Sequence, residues 1–134
     1  MLNVVLYEPE IPPNTGNIIR LCANAGARLH LIYPLGFDLS QKQLRRAGLD
    51  YSDLTSVVEH ADFNAFLEAE NPGRLWGCTT KASQSYCDVA FDSEDYLLFG
   101  PETRGLPSAV LDDLGQERCI RIPMQPASRS LNLS

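Results

Sequence analysis

Six short apolar runs constrain this chain more than any other feature. They are Leu2 to Tyr7, Leu29 to Tyr33, the weaker Ser56 to Glu59, Leu75 to Thr80, Tyr96 to Phe99 and Cys119 to Ile122. Runs this short and this continuously hydrophobic fit strands covered on both faces. Strands of that kind belong to parallel sheets, whose neighbours are most economically joined by helices. The expected fold is therefore an α/β domain with a parallel sheet flanked by helices.

The intervening segments carry helix punctuation. Asn14 or Thr15 can cap a helix running to about Ala25, with Gly26 closing it. Helical spacing puts Ile18, Leu21, Cys22 and Ala25 on one apolar face and Asn17, Arg20 and Asn24 on a polar one. Ser40 can cap Gln41 to Ala47, with Gly48 as its stop. Asp62 can cap Phe63 to Glu70, which ends at Asn71-Pro72-Gly73. Pro107 suits the first turn of a helix to about Leu114, followed by Gly115. Residues 82 to 95 form the least regular stretch.

At 134 residues the chain reads as a single domain, residues 1–134. That length can bury a core without staples. No basic, apolar leader opens it and no run approaches a membrane span, so the expected compartment is the cytoplasm. Cys22, Cys78, Cys87 and Cys119 contain no C-x-x-C pair, and His30 and His60 stand isolated in sequence. No metal site is expected, and the cysteines read as small buried hydrophobes. A net charge of −6 argues against indiscriminate coating of nucleic acid. It leaves room for a local basic cluster at Lys42, Arg45 and Arg46, which is either a solvated helix face or an RNA-facing patch.

Several familiar site patterns are absent. The sequence has no G-x-G-x-x-G, no P-loop and no G-x-S-x-G elbow. In a parallel α/β sheet, ligands sit outside the carboxyl ends of the strands. The segments leaving the last three strands are Cys78-Thr79-Thr80-Lys81, Gly100 to Gly105, and Pro123 to Ser130. Glycines there permit close backbone approach, and Pro101, Pro107, Pro123 and Pro126 stiffen the surroundings. Three such loops on one sheet edge favour a site over plain connections. Arg20 shares its helix face with Asn17 and Asn24. Its guanidinium is either an ordinary surface group or a fork for a phosphate or a developing oxyanion. Glu102 either orients that guanidinium or is an exposed turn carboxylate. Ser130 reads locally as the N-cap of a final helix, with Asn132 in its first turn.

Asn14-Thr15-Gly16-Asn17-Ile18-Ile19-Arg20, Phe99 to Pro107 and Ile122 to Ser134 together resemble the three motifs of the SPOUT-class RNA ribose 2′-O-methyltransferases. The likeness extends over nearly the whole chain. It is most specific in Leu6 to Asn17, Arg45 to Tyr51, Phe99 to Pro107 and Arg121 to Ser134, where it points to the branch that methylates the wobble ribose of tRNA, position 34, on cytidine or uridine. The resemblance implies a parallel α/β sheet whose C-terminal part is tied into a trefoil knot, a feature that general topology rules would not suggest. It implies S-adenosylmethionine as cofactor, lined by Cys78, Gly100, Ile122 and Ser130. It implies Arg20, Glu102, Ser130 and Asn132 as the catalytic set. Contacts to a tRNA anticodon stem-loop fall to Asn14, Asn17, Arg45 and Arg46. A homodimer is implied, with the site completed across its interface. The resemblance implies a terminal helix after Ser-Leu-Asn-Leu-Ser; the sequence stops at Ser134, so the expectation is either a chain that continues beyond it or a protein that lacks that helix. The competing expectations are the same chemistry at another tRNA or ribosomal RNA position, and a non-catalytic RNA- or nucleotide-binding module.

Overall fold

The computed structural model describes residues 2–10, 12–36, 57–79, 82, 84–85, 89–101 and 103–121, with side chains in the first helix from Thr15 onward. Six strands form one sheet: β1 Asn3–Tyr7, β2 Arg28–Ile32, β3 Val57–His60, β4 Leu75–Cys78, β5 Tyr96–Phe99 and β6 Cys119–Ile120. Their order is β3-β2-β1-β5-β4-β6, and every pairing is parallel. The expected sheet is thus present, with strand ends within a residue or two of the apolar runs. The segment that would tie a knot follows Arg121 and lies outside the described residues, as does the expected helix at 41–47.

Among the described residues, three helices cover the sheet: α1 Pro12–Ala25, α2 Phe63–Glu70 and α3 Ser108–Leu114. Asp62 caps α2 through its carboxylate, which accepts from the Ala65 amide at 2.7 Å, and Asn71 ends the helix in the left-handed region. Pro107 precedes α3 in extended conformation, Gly115 closes it, and a 3-10 turn over Gln116–Arg118 leads into β6. Among the described residues, no helix is long and apolar enough to cross a membrane.

Two expectations for α1 need correction. The helix starts at Pro12, ahead of the proposed caps Asn14 and Thr15, because proline's fixed φ suits a first turn whose amides lack partners anyway. Its buried face is Thr15, Ile18, Ile19 and Cys22, whereas Leu21 is 55% exposed and Ala25 is also exposed. The phase is set by the strands beneath. Ile18, Ile19 and Cys22 pack on Leu6, Leu29 and Leu31, and that contact rotates Leu21 outward.

The opposite sheet face carries Val5, Ile32, Leu75, Tyr96 and Leu98 under Phe66 of α2 and Val110 of α3. His30 and His60, isolated in sequence, are neighbours in this layer. Their rings stack with Nδ1 of His30 3.0 Å from Nε2 of His60. The adjacency arises because β2 and β3 pair, with His30 opposite Val58 and Ile32 opposite His60. On β5's approach, the buried Asp95 carboxylate accepts from the Trp76 indole at 3.0 Å and the Asp92 amide at 2.9 Å. Arg74 stands 3.2 Å away, so this buried charge is compensated.

Candidate active site at the sheet's carboxyl edge

The strand order reverses between β1 and β5. The chain winds outward through β2 and β3, then resumes on the other side of β1. Crevices at such switch points are where open parallel sheets bind ligands. Register aligns the exits: Leu6 lies opposite Phe99, Phe99 opposite Cys78, and Cys78 opposite Ile120. The loops leaving β4, β5 and β6 therefore start side by side. Ser85 also bridges to Arg121 in parallel, and the Arg121 amide donates to the Gln84 carbonyl at 2.8 Å.

Cys78 and Gly100 sit half-buried at adjacent exits. Burial pushes the Cys78 thiol up to about 12, so it stays protonated and acts as a small neutral wall. Gly77, one residue earlier, faces the other layer, where a Cβ would come within 2.7 Å of a Leu114 methyl. Gly100 has a tighter role. The loop after β5 folds back over it, so a Cβ there would collide with the backbone of Gly105 and Leu106. Within this loop the Pro101 carbonyl accepts from the Gly105 amide at 2.9 Å and the Arg104 amide at 3.3 Å. Gly105 takes the positive φ that the turn requires.

The first strand's exit meets this loop. Glu8, at φ 46°, keeps its amide on the Ile32 carbonyl at 3.0 Å. Glu10 Oε1 accepts from both the amide and the hydroxyl of Thr103, at 3.0 and 2.6 Å. Those two bonds hold the Glu10 carboxyl below its ordinary range. Arg104 reaches Glu10 at 3.4 Å and Glu8 at 3.5 Å. Local sequence assigns Glu8, Glu10, Thr103 and Arg104 no individual role. Their only local signal was position, just after an apolar run, since the contact spans 93 residues.

Of the expected site residues, Cys78 and Gly100 come together at neighbouring exits. Asn17 is exposed and Arg20 half-buried, both on the face of α1 turned away from its own sheet. With a rise of about 1.5 Å per residue, Arg20 lies roughly 12 Å along the helix from Pro12. For Asn14 only the backbone, within α1, is described. Arg45, Arg46, Glu102, Ile122, Ser130 and Asn132 lie outside the described residues.

Among the described residues, one cluster has the composition of a metal site. Ligand atoms of His30, His60 and Glu70 lie within 4.8 Å of one another. Hydrogen bonding already accounts for the pair, however. Nε2 of His30 faces the Asn3 side-chain oxygen at 3.1 Å, so its proton belongs there. Nδ1 then accepts from Nε2–H of His60, a bond that forms with both imidazoles neutral. Glu70, 3.8 Å from His30 Nε2, accepts from the Tyr96 hydroxyl at 3.0 Å. This arrangement is a hydrogen-bonded relay in the core, in the sheet layer opposite α1.

The whole chain, residues 1–134, matches the model of the SpoU rRNA Methylase family. A tRNA (cytidine(34)-2′-O)-methyltransferase of Escherichia coli K12 is 64% identical over 134 residues, spanning all of this chain and 85% of that protein. A solved structure, described as giving structural insights into the 2-OH methylation of C/U34 on tRNA, superimposes with a TM-score of 0.87 at 48% identity. It covers 99% of this chain and 86% of its own. The SpoU methyltransferase AviRb of Streptomyces viridochromogenes, solved in complex with AdoMet, is 28% identical with a TM-score of 0.75, covering 99% of this chain and 55% of its own.

Proposed function

The chain belongs to the SpoU methylase family, and from that premise we propose that it is a tRNA ribose 2′-O-methyltransferase acting at position 34. The observation that carries this reading is its 64% identity, over its full length, to an enzyme named for that reaction. Its methyl donor is S-adenosylmethionine. The described part of the cleft fits such a donor: a neutral thiol at Cys78 stands at the exit next to Gly100, over which the following turn folds and presents backbone. When bound, the donor supplies an electrophilic methyl group on a sulfonium.

The protein's task is to present a ribose 2′-oxygen in line with that methyl and to stabilise the charge that develops as its proton leaves. Arginine's pKa exceeds about 12, which makes it a poor base. Arg20 accordingly serves as an electrostatic clamp on the 2′-oxygen or an adjacent phosphate. Glu102 orients it, while Ser130 and Asn132 position substrate and donor. Ile122 and Ser130 line the cofactor with Cys78 and Gly100. Asn14, Asn17, Arg45 and Arg46 contact the anticodon stem-loop. No metal takes part, and the reaction runs in the cytoplasm with its tRNA.

The working unit is a homodimer. This is supported by Arg20, which lies on the outer face of α1, beside a leucine that is 55% exposed. A second copy docked there would bring Arg20 to a cleft that its own chain's sheet does not offer it.

Titration calorimetry with S-adenosylmethionine, followed by methylation of unmodified total tRNA and mass-spectrometric mapping, tests the reading. A 2′-O-methyl group at nucleotide 34 is expected. A modified nucleotide elsewhere, or donor binding without transfer, would replace it with one of the two competing functions. Arg20→Ala is expected to abolish methyl transfer while largely sparing donor affinity; loss of both in equal measure would remove Arg20 from the transition state.

A further inference from the structure

The contact between Glu10 and the loop after β5 joins two strand exits at the point where the sheet order reverses. Glu10 is itself firmly placed. The neighbouring Pro9 carbonyl accepts from the Gly36 amide at 2.9 Å, and Gly36 packs so closely that a Cβ would come within 2.9 Å of Glu10 Cα. The Glu8 amide is tied to the end of β2. The segment 8–10 is therefore anchored to the β2 side, and its carboxylates reach across to the β5 side.

On that side, the loop is closed at its base by the packing of Gly105 and Leu106 on Gly100. Its tip at Thr103 and Arg104 is exposed. Exposed turn residues are ordinarily the mobile part of such a loop. Here the tip is held by one carboxylate oxygen that takes both of Thr103's donors, while the other oxygen faces Arg104. Charge-assisted bonds of this kind are among the stronger ones available at a surface.

We propose that Glu10 is a positioning residue for methyl transfer, clamping the Thr103–Arg104 turn so that the β5 exit at Gly100 and Pro101 is set before the donor binds. The proposal rests on the reading of the β5 exit as part of the donor site. Its physical content is preorganisation: a loop already ordered costs less to order on binding.

The test uses the full chain, with S-adenosylmethionine titrated by calorimetry and in turnover on tRNA. Glu10→Ala is expected to raise the dissociation constant and KM for the donor about 10- to 100-fold, the range set by losing hydrogen bonds to a charged group, with a smaller effect on kcat. Glu10→Gln keeps an oxygen that can accept both Thr103 bonds but loses the charge facing Arg104, and is expected to restore part of the affinity. Thr103→Val, at an exposed site, removes one bond without threatening the fold. It is expected to show a smaller rise, non-additive with Glu10→Ala.

A wild-type protein that binds the donor, together with Glu10→Ala and Thr103→Val variants of unchanged donor KM, would overturn the clamp and leave the function standing. Failure of Glu10→Gln to restore affinity would overturn it as well. A wild-type protein that binds no donor would remove the parent reading and the clamp with it.

Discussion

His30 is the residue whose environment departs furthest from what its neighbours in sequence suggest. It is fully buried between His60, Phe66 and Tyr96, and burial pulls its pKa from 6.5 down to about 4. Glu70 opposes that pull, while His60 and Arg28 add to it. His60 is lowered for the same principal reason, burial. The relay of neutral rings has room for one further proton, but two would set N–H groups of two cations against each other. Between the two pKa values the unfolded chain binds more protons than the native one, so stability falls as pH drops from about 6.5 toward 4. For His30 alone the full loss corresponds to about 3 kcal/mol. Urea denaturation at pH 7 and pH 4.5 should show that decline in the wild-type protein and a flatter one in His30→Phe. Equal declines would assign the acid sensitivity to carboxylates instead.

Among the elements, the loops after the strands are more tightly built than their glycine and proline content alone conveys. Gly77 and Gly100 make the contrast. Gly77 faces the far end of the Leu114 side chain, which can move. Gly100 faces backbone, which cannot move without opening the loop. Gly100→Ala is expected to cost about 1–3 kcal/mol, as overpacking does, and to lower donor affinity. Gly77→Ala is expected to cost less and to leave donor affinity unchanged. Chemical denaturation beside calorimetry separates the two, and similar effects on donor affinity would contradict the backbone-contact account. Helix α2 is the element most fully written in local sequence, with its cap, its length and its left-handed stop at Asp62, Glu70 and Asn71. Helix α1 was legible in extent at its C-terminal end only. Its start lies two prolines earlier than side-chain capping rules place it, and its buried face is offset.

For the whole molecule, the question is what the outer face of α1 meets. Leu21 is a large apolar side chain left 55% exposed beside Arg20. Leu21→Asp places a charge where the dimer reading needs an apolar contact. It is expected to shift the sedimentation mass toward one chain and to reduce methylation at least tenfold, as loss of about 1.4 kcal/mol or more would. A variant that remains dimeric and active would move the interface elsewhere.

Sequence by itself determined the strand runs, the α2 cap, the glycine stops at Gly26 and Gly115, and the motif likeness that names Arg20, Cys78 and Gly100. Each of these rests on backbone preference, periodicity or residue order within a few positions. Tertiary structure alone decided that β5 slots between β1 and β4, that Leu21 faces outward, that His30 stacks on His60, and that Glu10 holds Thr103. Those outcomes depend on which strand becomes whose neighbour. That choice is made by burying two apolar layers at once, one on each face of the sheet. Local pattern carries no record of it, because the energy that selects the partner exists only after the sheet has assembled.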